Sequence, residues 1–399
     1  MLKLKKSKLQ IYINNFLLIL SGFIVFSPIS SYISQNILNL TLSLPELLFV
    51  PFYFKFRRLF NLKINFKTFI IGAFFILFLV VIALIVGQYP LTSILSTARG
   101  YTYMLLAFSI FKNKQISNIN YIFFIALGSS IGWMILGLAS LNQLIYNLNP
   151  QNISLAVYGN MLALALSIII SIVYKKKILF FIVLGTTLII SLTAGLRRQI
   201  AIALVSYILS FFTQIKFKFK RIISISISLV FISVLIINLL PQAKSFTAEI
   251  SPTLYVRIFV KTEQLISGDV STSDQTRLNS LDRFTDDLES YILPRGLVSK
   301  RTMQDAGTGL FMDSPYIELF HTFGLFFSIP IIWYFFSSVL FHYKNYYKNH
   351  INESAVWFTM GGVIFVLMLI EGSFLNFVYT TPITGFVLAR LASRKNLTP

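Results

Sequence analysis

Long apolar runs are the feature that most constrains this chain. About 20 mostly apolar residues are needed for a helix to cross the hydrocarbon of a bilayer, and the chain has twelve stretches of this kind. Hydrophobic residues make up 56% of the sequence and charged residues only 12%, against about 25% charged residues in a typical soluble domain. The pattern predicts an all-α, polytopic integral membrane protein. The predicted spans are 11–33, 37–54, 68–87, 93–111, 119–141, 153–173, 178–195, 199–215, 222–240, 316–341, 355–375 and 377–393.

Basic residues between the spans predict the topology. They concentrate in alternate connections, for example Lys175 to Lys177 and the "KFKFKR" run at 216–221. Because cytoplasmic loops carry the excess of Lys and Arg, these connections and both termini are predicted to be cytoplasmic. The same distribution argues against a nucleic-acid partner for this chain of net charge +20, since the basic residues form no single soluble face.

Acidic residues mark one long connection on the opposite side. Of the 14 Asp and Glu residues, 11 lie between Glu249 and Glu318. The segment 241–315 is therefore predicted to be an extracytoplasmic loop within a single membrane domain that covers 1–399. Structureless connections longer than about 15 residues are uncommon unless they are functional or disordered. Helical spacing of apolar residues in this loop predicts two amphipathic helices at the membrane surface.

Motifs for soluble cofactor chemistry are missing from the sequence. There is no P-loop, Rossmann fingerprint or zinc-protease motif, and there is no cysteine to ligate a metal or form a disulfide. No "DxD" is present, and the adjacent Asp286 and Asp287 would face different sides of a helix. We therefore expect neither a metal nor a cofactor.

Arginines on the predicted outer side are the first candidate site. Positive charge there opposes the usual topological bias, and a cation within a span is by default a functional hypothesis. Planar guanidinium groups suit the bidentate binding of phosphate or diphosphate oxygens. The alternative is that each arginine only reaches out to lipid headgroup phosphates. The candidates are Arg99, Arg197, Arg198, Arg257, Arg277 and Arg283.

The second candidate site is "FMDSPYIELFHTFG", where the long loop re-enters the membrane. Asp313 can serve either as a helix N-cap or as a general base for a sugar hydroxyl. Tyr316 can hydrogen-bond a ligand or the backbone, and His321 is either a ligand-binding residue or a packed polar residue. Two further carboxylates near span ends, Glu46 and Glu371, are expected to pair with outward arginines.

These residues resemble the O-antigen polymerase and O-antigen ligase superfamily of bacterial membrane glycosyltransferases. The resemblance rests on the many spans, the long late outer loop and three local patterns: "TAGLRRQIAIAL" from Thr193 to Leu204, Arg277 followed by "PRGLVS", and Asp313 with Tyr316 and Gly324. An Arg-x10-Gly spacing seen in some polymerases occurs at Arg257 to Gly268. Ligases of the superfamily commonly have "HN" where this chain has "DS", and this difference favours the polymerase branch.

The resemblance implies glycosyl transfer on the outer face of the cytoplasmic membrane. The donor would be an undecaprenyl-diphosphate-linked oligosaccharide, and the acceptor a sugar hydroxyl on a second lipid-linked repeat unit. Arg198 and Arg277 would bind the diphosphate, and Arg99 would assist from deeper in the bilayer. Asp313 would orient or deprotonate the acceptor in a single displacement that inverts the anomeric centre.

Partners implied by the same resemblance are the lipid bilayer, a chain-length regulator and a flippase. Three alternative functions stay open from the sequence. The chain could be a ligase that attaches finished polymer, a transporter such as the flippase for the same repeat units, or a membrane scaffold. The absence of internal repeats disfavours a transporter, and the outward arginines disfavour a scaffold.

Overall fold

The fold is all-helical in the part of the chain that the structure describes. The computed structural model describes residues 2–29, 64–112, 119–146, 159–194, 197–214, 291–298, 315–370 and 380–393, with short pieces at 33, 47–48, 51, 238, 241–242, 244–249, 255–260, 263–264 and 267. Ten α-helices of twelve or more residues occur in these ranges. They are α1 (Leu2–Val25), α2 (Phe66–Ile85), α3 (Leu91–Phe111), α4 (Ile119–Tyr146), α5 (Met161–Val173), α6 (Lys177–Ala194), α7 (Arg197–Gln214), α8 (Pro315–Asn349), α9 (Asn352–Ile370) and α10 (Thr381–Ala392).

Four of these helical stretches are long and apolar enough to cross a membrane: Phe66–Ile85, Ile119–Ala139, Pro315–Asn349 and Asn352–Leu369. The ten helices coincide with ten of the predicted spans, so the predicted all-α membrane character is confirmed at this level. The predicted spans 37–54 and 222–240 fall almost entirely outside the described residues. The total of twelve spans, the sidedness of the termini and the division into one domain with an outer loop stay predictions.

Helix α5 forms the centre of the bundle. All 13 of its residues are buried, and it packs against α4, α6, α7 and α9. Asn160 caps its N-terminus by accepting a hydrogen bond from the Ala163 N–H at 3.1 Å. The hydroxyls of Ser167 and Ser171 donate to carbonyls of the preceding turn, at 2.8 and 2.7 Å. These bonds let an apolar helix carry buried hydroxyls without unpaired donors.

Small residues allow the closest helix contacts. A Cβ atom on Gly128 of α4 would lie 2.0 Å from the Ile19 carbonyl oxygen of α1, and one on Gly385 of α10 would lie 2.1 Å from the Met104 carbonyl oxygen of α3. Apolar side chains gain little from leaving lipid for a helix interface, so membrane helices associate through such close backbone packing. The α1–α4 and α3–α10 pairs are accordingly the two most extensive helix contacts among the described elements.

Helix α8 is broken near its start. Gly324 has φ 70° and ψ 166°, which separates a short first half, 315–323, from a long second half. Residues 291–298 run alongside this break: the N–H groups of Arg295 and Gly296 donate to the carbonyls of His321 and Thr322 at 3.0 and 3.3 Å. The segment therefore satisfies carbonyls that the interrupted helix leaves without their usual partners.

A second, smaller core surrounds this break. It joins α2, α3, the 291–298 segment and the start of α8, separately from the main core around α5. Gly296, at φ 83°, fits tightly against α2, because a Cβ atom there would lie 2.4 Å from the Ala83 nitrogen. The buried residues of this second core are Leu79, Ala83, Ile94, Ala98, Tyr101, Leu297, Leu319 and Phe323.

Candidate functional site

Polar groups from four separate parts of the chain meet at the break in α8. We call this group the kink cluster; it consists of Tyr89, Tyr101, Tyr291, Arg295, Glu318, His321 and Thr322. The connection between α2 and α3 contributes Tyr89, α3 contributes Tyr101, and the end of the long acidic loop contributes Tyr291 and Arg295. Helix α8 contributes the other three.

His321 occupies the middle of the kink cluster. It is buried, with only 1% of its surface exposed. Its Nε2 atom lies 2.9 Å from the Tyr89 hydroxyl oxygen, 232 residues away in the chain. The rings of Tyr89 and Tyr291 lie 5.9 and 6.1 Å from the His321 ring, measured between centroids. His321 therefore packs as a buried polar residue, which is one of the two interpretations that the sequence left open.

Tyr89 is held in the short turn between α2 and α3. Its N–H donates to the Ala83 carbonyl at 3.2 Å, and its ring covers Gly87, where a Cβ atom would lie 2.3 Å from the ring. Tyr89 is half-buried. Burial raises the pKa of its hydroxyl above the ordinary value, and the Arg295 charge opposes this increase. The hydroxyl is thus neutral at physiological pH and lies within the electrostatic reach of a cation.

Glu318 faces a different part of the cluster. Its carboxylate is buried, and it interacts with the Tyr101 hydroxyl, which Thr322 also contacts. A carboxylate buried at 2% exposure needs hydrogen-bonding partners, and the Tyr101 hydroxyl is one of them. Glu318 therefore acts on the Tyr101 hydroxyl, and the Arg295 charge acts on the Tyr89 hydroxyl.

The sequence-predicted residues have different positions relative to this cluster. His321 lies within it, and Tyr316 is half-buried in the first turn of α8. Arg99 is exposed on α3, whereas its neighbours Ala98 and Tyr101 face the second core. Helix α8 begins at Pro315, and the capping role predicted for Asp313 stays a prediction because that residue lies outside the described part.

For several of the predicted site residues, either the side chain or the whole residue lies outside the described part. Arg197 and Arg198 begin helix α7, as expected for the start of a span, but their side chains are not described. Arg257 lies in a short π-helical turn, Val256–Val260, and its side chain is likewise not described. Arg277, Arg283 and Asp313 are outside the described residues altogether, as are Glu46 and Glu371. Their roles stay predictions.

Sequence reasoning missed Tyr89 and Arg295. Arg295 stands in the "PRGLVS" pattern, and Tyr89 precedes Pro90 in a connection predicted to face the same side as the long loop. A search for polar residues in all connections of that side would have found both. Their contact with His321 could not have been found this way, because it depends on how 291–298 docks on α8.

A separate polar contact joins α9 and α10. The Arg390 guanidinium donates to the Glu353 carboxylate, which also accepts a hydrogen bond from the Trp357 indole N–H at 3.1 Å. Arg390 also lies over the Trp357 ring, 5.8 Å from its centroid. Both helices also contact α8 and α5, so this pair stabilises the helix packing.

No group of three or more His, Cys, Asp or Glu residues that could hold a metal occurs in the described ranges. Comparisons of the chain with protein-family models, with curated proteins and with solved structures gave no significant match.

Proposed function

We propose that this protein is a membrane glycosyltransferase that polymerises lipid-linked oligosaccharide repeat units. The enzyme acts on the outer face of the bacterial cytoplasmic membrane. One observation carries the proposal: the end of the long acidic loop docks into a broken helix and brings Arg295 and Tyr89 together with His321. Broken membrane helices are typical of sites that bind ligands at membrane depth. A helix bundle with this loop fits an amphiphilic substrate whose tail lies in lipid and whose charges lie at the surface.

The reaction is a single displacement at the anomeric carbon of the donor. The acceptor hydroxyl oxygen forms a bond to this carbon as the bond to the donor diphosphate breaks. The acceptor proton passes to the Asp313 carboxylate, and undecaprenyl diphosphate leaves with the bonding electron pair. Arg198 and Arg277 stabilise the negative charge on the leaving group, with Arg99 assisting, as preorganised cations do in other phosphate sites. Arg197, Arg257, Arg283 and Tyr316 complete the substrate-binding set.

The test is the polymer made by cells that express Arg198→Ala or Arg277→Ala. Loss of a clamp arginine removes transition-state charge stabilisation, and a single donor of this kind contributes about 100-fold or more to a rate. We expect single repeats to accumulate and long polymer to disappear, measured by gel sizing of surface polysaccharide. Lys348→Ala is the matched control, because Lys348 is an exposed cation at the C-terminal end of α8, far along this helix from the kink cluster. This variant should leave the polymer unchanged.

Other products would contradict the proposal in recognisable ways. Wild-type chain length in both arginine variants would show that the arginine assignment is wrong. Intact polymer that stays on its lipid carrier after gene deletion would identify a ligase. Accumulation of untranslocated repeat units on the inner leaflet would identify a flippase.

A further inference from the structure

The break in α8 is bridged by hydrogen bonds that an uninterrupted helix would make internally. The carbonyls of His321 and Thr322 accept from the backbone N–H groups of Arg295 and Gly296, at 3.0 and 3.3 Å. In a continuous α-helix each carbonyl accepts from the N–H group four residues further on, so the next turn of α8 would supply both donors. The docked segment, residues 291–298, therefore occupies hydrogen-bonding positions that belong to a straight α8.

Ser328 shows that the break brings the two halves of α8 together. Its buried hydroxyl donates to the Leu319 carbonyl, nine residues earlier, at 3.0 Å. Nine residues of a straight helix span about 13 Å along the axis, so this bond cannot form in a straight α8. Ser338 is also buried, but its hydroxyl donates to the Tyr334 carbonyl, four residues earlier, at 2.8 Å. The Ser328 bond is therefore specific to the broken helix, whereas the Ser338 bond is compatible with both forms.

Gly324 permits the broken helix and weakens the straight one. Its φ of 70° and ψ of 166° form a combination that almost only glycine adopts. A Cβ atom at this position would lie 2.6 Å from the Pro294 nitrogen of the docked segment. Within a regular helix, by contrast, alanine is more favourable than glycine. Alanine at position 324 would therefore disfavour the broken form and favour the straight form.

The second half of α8 is anchored, so the first half is the part that can move. The rings of Phe335 and of Phe365 on α9 lie 5.2 Å apart, measured between centroids. The His342 Nε2 atom lies 3.2 Å from the carbonyl oxygen of Leu391 on α10. Straightening α8 on this anchor would therefore displace the first half, 315–323.

We propose that α8 is a two-state element, with a broken form held by the docked segment and a straight form from which this segment is released. The carbonyls of His321 and Thr322 are paired in both forms, because they exchange donors from the docked segment for donors of α8 itself. The contact between His321 and the Tyr89 hydroxyl, at 2.9 Å, belongs to the broken form only. Release of the docked segment thus takes the kink cluster apart.

This device links the long acidic loop to the helix bundle. The docked segment lies in the predicted outer loop, 241–315, so a ligand that holds this loop away from α8 favours the straight form. The inference concerns the loop and α8 alone and does not depend on the proposed reaction.

The test is the distance between spin labels on paired cysteines of the full-length protein in lipid nanodiscs, since the chain has no native cysteine. Leu293→Cys, on the docked segment, with Lys344→Cys, on the second half of α8, reports release; both positions are exposed. Tyr316→Cys with Lys344→Cys reports straightening, because a continuous helix from 316 to 344 spans about 42 Å and a break shortens this distance. Ile329→Cys with Lys344→Cys lies within the second half and is the internal reference.

Two variants should shift α8 toward the straight form. With Gly324→Ala or Ser328→Ala, we expect a second population in which the 316–344 distance is several ångströms longer and the 293–344 distance is changed. The 329–344 distance should stay the same. Ser338→Ala is the matched control for Ser328→Ala, and Gly185→Ala, where a Cβ atom meets nothing within 4 Å, is the control for Gly324→Ala. Both controls should leave all three distances unchanged.

The outcomes separate a switch from a loosely bound segment. Unchanged distances in both Gly324→Ala and Ser328→Ala would overturn the two-state element. A changed 293–344 distance with an unchanged 316–344 distance would also overturn it, because the segment would then leave without straightening α8. Lengthening of the 316–344 distance in Ser338→Ala as large as that in Ser328→Ala would overturn the role of the bond across the break. Lengthening confined to Gly324→Ala and Ser328→Ala would support the switch, even if the protein makes no polymer.

Discussion

At the scale of single residues, two buried charged or polar groups are accommodated in different ways. His321 is hydrogen-bonded to the Tyr89 hydroxyl, whereas Glu353 and Arg390 form an ion pair. Only 3% of the Arg390 side chain and 18% of the Glu353 side chain are exposed. Two charges removed from water to this extent are tolerated when they are paired and hydrogen-bonded. Both solutions follow from contacts between residues that are far apart in the sequence.

Removing one member of the ion pair should therefore be costly. We expect Glu353→Gln to lower the free energy of unfolding by about 3 kcal/mol, because the Arg390 charge would lose its carboxylate while staying buried. The measurement is chemical or thermal unfolding in detergent, with Lys348→Ala as the exposed control. The double variant Glu353→Gln with Arg390→Met should lose less stability than the sum of the two single variants. Additive losses would show that the pair contributes no coupling.

At the scale of elements, the break in α8 depends on glycine at two positions. Gly324 and Gly296 both have positive φ values, and a Cβ atom on Gly324 would lie 2.6 Å from the Pro294 nitrogen. Sparsely populated backbone conformations cost other residues about 1–3 kcal/mol, and the Gly324 combination of φ 70° and ψ 166° is adopted by almost no residue except glycine. The docking of 291–298 on α8 thus requires glycine for both conformation and space.

Gly324→Ala should release the docked segment. The chain has no native cysteine, so Val298→Cys, at a position that is 3% exposed, gives a single reporter thiol. We expect slow maleimide labelling of this thiol in the otherwise wild-type chain and at least several-fold faster labelling when Gly324→Ala is added. Gly185→Ala is the matched control, because a Cβ atom there meets nothing within 4 Å and alanine favours a helix. Equal labelling in both backgrounds would contradict the role of Gly324.

At the scale of the whole molecule, helix ends that are predicted to share a side lie together. The Lys176 ammonium contacts the Asn120 side chain, and the Tyr346 hydroxyl donates to the Thr213 carbonyl. All four residues fall at or next to the cytoplasmic connections predicted from Lys and Arg positions. Tyr89 and His321 meet in the same way at the end predicted to face outward. These contacts join helix ends that are predicted to share a side, and the side that each end faces stays a prediction.

Single cysteines can test the predicted sides directly. Ser245→Cys lies in the acidic loop and Lys348→Cys at the end of α8, and both positions are exposed. With a membrane-impermeant maleimide on intact cells, we expect the thiol at position 245 to be labelled at once. The thiol at position 348 should be labelled only after permeabilisation. The reverse pattern would invert the topology and place the kink cluster on the cytoplasmic side.

The sequence alone determined the class of the molecule and the course of its helices. Runs of apolar residues suffice for this, because the energy of placing a segment in a bilayer depends on its own composition and length. Ten predicted spans coincide with observed helices, with ends that agree closely for α2 and α6. The early end of α1 and the continuation of α8 to Asn349 were not predicted, because helix termini depend on local capping and packing as well as hydropathy.

The tertiary structure decided which polar residues meet. Position 321 was recognised from the sequence, but its partners Tyr89 and Arg295 were not, since they lie in different connections. Their meeting depends on the break at Gly324 and on the segment 291–298 that fills it. Such a contact is set by the close approach of three backbones, and no periodic pattern within one helix encodes it. The helices of the bundle could be predicted one at a time from their own sequences. The candidate site could not, because it exists only where separate elements pack together.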